Sequence, residues 1–208
     1  FFPSASVGWV VSDEAFFRGI SNALSLDMFK LRASYGSLGN QTFAYNNSFP
    51  YYDAYPYLPI LPTGQGNIIL GSTRPTIVGS PKPVSDNFSW ESITSVNFGV
   101  DLSMFKNRFN VNFDKYTRYT RDMLIPGHEL PSVFGADAPT ENNGDLKTKG
   151  WELRLNWRDN TTLAGSPLWY NLTFTLADNR SRVTKYDNPT KYLGNTYGNY
   201  YEGREIGE

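Results

Sequence analysis

The sequence predicts an all-β chain, an antiparallel meander of about six long strands with one apolar and one polar face. Three observations predict it. Apolar and polar residues alternate with a period of two in about six separate runs. The runs reach about 10 to 13 residues, where ordinary strands average about 5 to 6. Short connections between them alternate with long ones.

The first run, near 3–11, sets Ala5, Val7, Trp9 and Val11 against Ser4, Ser6, Gly8 and Val10, the last of which breaks the polar side. Residues 12–27 are long enough for a short helical turn. The second run, near 29–37, alternates Phe29, Leu31, Ala33 and Tyr35 with Lys30, Arg32, Ser34 and Gly36, and a long loop is expected over 38–90. The third, near 91–104, places Thr94, Val96, Phe98, Val100, Leu102 and Met104 opposite Ser95, Asn97, Gly99, Asp101 and Ser103. Phe105-Lys106-Asn107 then reads as a tight hairpin turn. The fourth run, near 108–123, sets Phe109, Val111 and Phe113 against Asn110, Asn112, Asp114 and Arg118, with a loop expected over 124–146. The fifth, near 147–158, is the cleanest: Trp151, Leu153, Leu155 and Trp157 against Glu152, Arg154, Asn156 and Arg158. After a compact turn over 159–167, the sixth run, near 168–180, sets Leu168, Tyr170, Leu172, Phe174 and Leu176 against Asn171, Thr173, Thr175 and Asn179, and 181–208 is expected as loop.

Composition removes several functions. With 19 Lys+Arg against 20 Asp+Glu scattered along 208 residues, the chain lacks the basic footprint that nucleic-acid binding needs. There is no Cys and one His, so disulfides and thiolate zinc sites are excluded and a His-rich metal site or catalytic triad is disfavoured. That His128 sits in a loop-like Ile125-Pro126-Gly127-His128-Glu129 stretch, and Asp13 and Glu14, adjacent in sequence, diverge rather than form an acid/base pair. We find no catalytic constellation, metal site or cofactor site. No apolar run reaches the roughly 20 residues of a membrane-spanning helix, so a membrane role would fall to strands.

Strand length, short turns at one end, long loops at the other, and tryptophans flanking the apolar stripes together suit an outer-membrane barrel. On that reading Val96, Phe98, Val100, Trp151, Leu153, Leu155, Trp157, Leu172 and Phe174 face lipid. Arg32, Asn97, Asp101, Asp114, Glu152 and Arg154 line a polar lumen, where most pair with one another, solvate the wall or dock other parts of the protein. Lys115 falls on the apolar register, and either snorkelling or a bulge would accommodate it. The rival is a soluble secreted β-sandwich binding carbohydrate through a Tyr-rich loop, since one buried face also produces alternation. An enzyme fragment is a weaker third reading, without nucleophile–base geometry to support it.

Four blocks in order carry a family resemblance: Phe2-Pro3-Ser4-Ala5-Ser6-Val7-Gly8-Trp9-Val10-Val11-Ser12-Asp13-Glu14; Phe29-Lys30-Leu31-Arg32-Ala33-Ser34-Tyr35-Gly36 with Gly39-Asn40; Trp90-Glu91 through Asn97-Phe98-Gly99-Val100-Asp101 and Phe105-Lys106-Asn107-Arg108 to Thr120-Arg121-Asp122-Met123-Leu124; and Asn143-Gly144-Asp145-Leu146-Lys147-Thr148-Lys149-Gly150-Trp151-Glu152. The sequence resembles the SusC/RagA-type TonB-linked outer-membrane transporters. It departs at Lys115, where the family usually has an aromatic, and at Trp151, which replaces a Phe. The resemblance implies that residues 1–208 belong to one barrel domain of about 22 strands in an integral outer-membrane protein, with both ends of the sequence read as cuts. It implies import of glycan oligomers or peptides, a SusD-like surface lipoprotein as partner, and energy from the TonB complex through a plug domain absent from this stretch. Tyr45, Phe49, Tyr51, Tyr52, Tyr55 and Tyr57, set among Asn and Pro, are the candidate cargo or partner contacts, because aromatic faces beside amides suit sugars and peptides. The same rings would equally pack the loop onto itself.

Overall fold

The structure, a computed structural model, describes residues 1–40, 58–59, 61–81, 83–86, 88–127, 131–135, 139–186 and 200–207. Six strands form one antiparallel sheet: β1 (Ser4–Val10), β2 (Leu26–Asn40), β5 (Glu91–Met104), β6 (Phe109–Pro126), β7 (Thr140–Leu163) and β8 (Ser166–Lys185). They pair in that order, each with its neighbour along the chain, so the expected meander holds. A separate two-stranded hairpin, β3 (Thr63–Gln65) with β4 (Thr76–Val78), lies in the stretch expected as loop over 38–90.

The strands run further than alternation indicated. β7 spans Thr140–Leu163 rather than 147–158, β6 continues to Pro126, and β8 continues to Lys185, so the loops expected over 124–146 and 181–208 are shorter. The turn expected over 159–167 contracts to Ala164-Gly165. The physical reason is that backbone pairing persists where side chains are polar on both faces, and only the side-chain pattern stops. Above Thr120 the ladder goes on through irregularities on either side of Met123, next to Asp122 at a φ of 55°.

The connections at one end are short. Ala164 and Gly165, with φ of 52° and 83°, make the two-residue turn whose twist matches that of paired strands. Between β5 and β6, Phe105, Lys106 and Asn107 all have positive φ. That costly run is pinned from several sides: the Asn107 N–H donates to Asp27 Oδ2 at 2.8 Å, the Phe105 N–H to the Ser25 carbonyl at 3.0 Å, and Arg158 Nε to the Asn107 carbonyl at 2.7 Å. At the same end, residues 11–25 carry a 3-10 turn (Val11–Asp13) and the short helix α1 (Arg18–Leu24), as the length of that connection allowed.

The sheet has no second layer among the described residues. Val11 and Val183 are the only buried apolar side chains there, while Phe98 is 60% exposed and Phe174 57%. A soluble sandwich would bury its alternating residues under a facing sheet about 10 Å away. Here one apolar sheet face stands uncovered.

Candidate functional site

Register sorts every strand residue onto one of two faces. Following hydrogen-bonded partners from β2 to β8, the rows Leu31–Val100–Phe113–Leu153–Leu176 and Leu102–Val111–Leu155–Phe174 run across one face. Met104–Phe109–Trp157–Leu172 and Phe98–Lys115–Trp151 lie on the same face, as does Val96. The nine residues expected to face lipid therefore share one surface. Near the short-turn end its aromatics interlock: Phe109 and Phe105 lie 5.9 and 6.3 Å from Trp157, Phe17 stacks on Phe29 at 5.5 Å, and Trp9 sits 6.4 Å from Phe16. Towards the long-loop end Phe2 stacks on Trp90 at 6.0 Å across Gly39, whose missing side chain leaves the rings room.

The apolar band is oblique to the hydrogen-bonded rows. The row through Val96 passes Thr117 and Lys149 to Arg180, yet on β8 the band ends at Leu176, four residues nearer the short turns. Strands about 4.8 Å apart and tilted about 40° shift a level line by about 4 Å, a little over one residue, per strand. Three strand steps at that rate bring the line close to Leu176. One step at that rate puts the line on β6 about one residue below Thr117, which brings Lys115 to the edge of the band. Pairing is regular from Phe109 to Thr120, so no bulge displaces it; Lys115 lies on the apolar face, at the edge of the band on β6.

The opposite face carries a charged network. Arg32 donates from Nε to Asp101 Oδ2 at 2.7 Å and from Nη2 to Asp101 Oδ1 and Asp114 Oδ2, both at 3.0 Å. Asn97 Nδ2 donates to Asp114 Oδ1 at 3.1 Å and Asn112 Nδ2 to Asp101 Oδ1 at 2.9 Å. One guanidinium thus ties three strands through a bidentate and a single ion pair. Gly99 makes room for it. It stands between Arg32 and Asp114 in register, and a Cβ there would lie 2.6 Å from Arg32 Cζ and 2.7 Å from Asp114 Oδ1. Gly150 does the same for Tyr116, whose hydroxyl would be 2.6 Å from a Cβ.

Of the expected polar-face residues, Arg32, Asn97, Asp101 and Asp114 are brought together. Glu152 and Arg154 share the face, opposite Asp114 and Asn112, but are exposed and outside the network. Asn112 and Gly99 belong to the cluster and were not singled out beforehand; a glycine in the interior of an otherwise strong strand pattern is the signal that marks such a close approach. Nearer the long loops, Glu91 accepts from Asn40 Nδ2 at 2.9 Å and from the Leu124 N–H at 3.0 Å, and Asn142 bonds both the N–H and the carbonyl of Ser89. The candidate contacts Tyr45, Phe49, Tyr51, Tyr52, Tyr55 and Tyr57 lie outside the described residues. Among the described residues no group of three or more acidic or His side chains is placed to hold a metal ion.

The family model for the TonB dependent receptor-like β-barrel matches residues 1–205. The chain belongs to this family. Its six-stranded sheet is an open portion of a TonB-dependent receptor barrel. Among curated relatives it is 27% identical over 185 residues to TonB-dependent receptor P3 of Formosa agariphila, covering 89% of this chain and 17% of that protein. It is 29% identical over 192 residues to TonB-dependent receptor SusC of Bacteroides thetaiotaomicron, covering 88% and 17%. Among solved structures, the RagAB peptide importer in its open-open state aligns with a TM-score of 0.70 at 22% identity, over 94% of this chain and 19% of that one. The chain therefore spans about a sixth of the length of these curated relatives.

Proposed function

We propose that this chain is wall material of a TonB-dependent outer-membrane importer, with its apolar face against lipid and the Arg32 network facing the lumen. The observation that carries the reading is the two-faced sheet. Its apolar residues are uncovered over a band long enough for a membrane, while the other face is held by ion pairs and amides. Such a sheet is stable only if acyl chains cover one side and water fills the other. Val96, Phe98, Val100, Trp151, Leu153, Leu155, Trp157, Leu172 and Phe174 are the lipid contacts. Arg32, Asn97, Asp101, Asp114, Glu152 and Arg154 line the interior.

In this reading the whole protein imports glycan oligomers or peptides, driven through TonB by a plug inside the barrel. A SusD-like surface lipoprotein covers the long loops. The likeness to TonB-dependent receptor SusC supports the transporter class, and the similar fold of the RagAB peptide importer is consistent with peptide cargo. The Tyr-rich stretch from Tyr45 to Tyr57 is the candidate contact with either. The test is fractionation of cells making the full-length protein. Recovery with outer membranes after a salt wash is expected, and recovery in the soluble periplasmic fraction would end the proposal. Uptake of labelled oligosaccharide or peptide, lost on removing TonB, tests the transport step.

A further inference from the structure

The connection between β1 and β2 folds back over the apolar face of the sheet at its short-turn end. Phe17, the residue before α1, stacks on Phe29 at 5.5 Å, and Phe29 stands opposite Leu102 in the apolar register. Trp9, opposite Leu31 on the same face, lies 6.4 Å from Phe16 and donates its indole N–H to Glu14 Oε1 at 3.0 Å. The far end is tied to the β5–β6 turn, where the Ser25 carbonyl accepts from the Phe105 N–H and Asp27 Oδ2 from the Asn107 N–H. A helix of seven residues is marginal by itself, so these contacts rather than helix propensity hold α1 in place.

So fixed, α1 has two unlike sides. Ile20 and Leu24 are four residues apart and neighbours on one side, and Phe16, just before the helix, continues their stripe; all three are exposed. Ser21, on the adjoining side, is buried. Arg18 and Asn22 occupy the opposite side and are exposed. A lone exposed apolar residue is ordinary, but three in a stripe that joins an uncovered apolar sheet face make one continuous surface.

We propose that α1 is an interfacial helix lying in the periplasmic leaflet, with Phe16, Ile20 and Leu24 among the acyl chains and Arg18 and Asn22 at headgroup level. The inference rests on the lipid-facing reading above and extends it from the strands to the helix. Continuity identifies the occupant: the Phe17–Phe29 and Trp9–Phe16 contacts join the stripe to the face that lipid covers. Short turns face the periplasm in such barrels, which sets the leaflet. Trp9, apolar in body and bonded through its N–H to Glu14, marks the level at which apolar surface meets polar groups. An amphipathic helix at that level buries its apolar side about 5–10 Å into the boundary. Because α1 is pinned to β1, β2 and the β5–β6 turn, its seat in the leaflet fixes the depth of these strands in the membrane.

The test uses the full-length protein in phosphatidylethanolamine–phosphatidylglycerol vesicles, carrying a nitroxide on Ile20→Cys, Phe16→Cys, Asn22→Cys or Phe98→Cys in separate chains. Spin relaxation by oxygen, which concentrates among acyl chains, is compared with relaxation by a water-soluble nickel chelate. Labels at positions 20 and 16 are expected to favour oxygen, as at 98, and the ratio is expected to reverse at 22. Equal ratios at 20 and 22 overturn the proposal. So does a label at 20 that neither reagent reaches, which would mean that another protein segment covers the stripe. If Ile20→Cys does not fold, Phe16→Cys decides in its place. The label at 98 separates the two readings: oxygen preference there with none at 20 and 16 removes the interfacial helix and leaves the barrel face standing, whereas chelate preference at 98 removes both.

Discussion

Replacing Phe174 by Arg separates a lipid-facing sheet from a water-facing one by the size of a single number. Phe174 is 57% exposed, flanked on its own strand face by Leu172 at 65% and Leu176 at 48%, and opposed by Leu155 on β7. In water, a substitution at so exposed a site shifts stability by about 0.5 kcal/mol, with up to about 1 kcal/mol more for the lost cross-strand contact with Leu155. In a bilayer the same change sets a guanidinium among acyl chains at mid-band, costing about 2–4 kcal/mol. Ala177→Arg is the control. Ala177 is on the polar face opposite Glu152, where a new cation meets a carboxylate and water, and the expected change is within about 0.5 kcal/mol. The assay is urea unfolding of the full-length protein in phosphatidylcholine vesicles, followed by tryptophan fluorescence, with outer-membrane yield as a second readout. If Phe174→Arg and Ala177→Arg cost the same, and both less than about 1 kcal/mol, the assignment of faces is wrong.

Three further outcomes follow from the same geometry. Arg32→Met leaves Asp101 and Asp114 facing each other with only amide partners; discounting for the watery surroundings, it should cost about 1–3 kcal/mol, and a double-mutant cycle with Asp101→Asn should recover part of the loss. Gly150→Ala should cost about 1–3 kcal/mol by driving Tyr116 off the polar face, and Tyr116→Ala in the same chain should relieve it, both read by urea midpoint. Ala164→Gly should raise stability by up to about 1 kcal/mol, read as a higher urea midpoint, because Ala164 holds a φ of 52° that glycine adopts without strain; an unchanged or lowered midpoint would show that the turn is not limited by that strain.

How much of this was legible in the residues depends on which spacing carried the information. Alternation from Trp151 to Trp157 and from Thr94 to Met104 told which side chains share a face, and those assignments stand in the register. The hairpin at Phe105-Lys106-Asn107 was equally readable from its brevity. Strand ends were not, because β7 continues through Asn142, Asn143 and Gly144 on the strength of backbone pairing that leaves no mark in hydropathy. Glu152 and Asp114 also look alike in sequence, yet only Asp114 joins Arg32, since the choice depends on a glycine on the strand between them and the arginine.

The sequence alone determined that this protein makes long two-faced strands, because a period of two is a property of the backbone pleat and needs no knowledge of neighbours. Only the tertiary structure decided the relative height of those strands. At the tilt of about 40° usual for such barrels, a level line drops by about a residue per strand across the registered rows, so Lys115 comes to the edge of the apolar band while Phe98, opposite it, sits within the band. A single strand carries no record of that offset, which exists only between chains already paired.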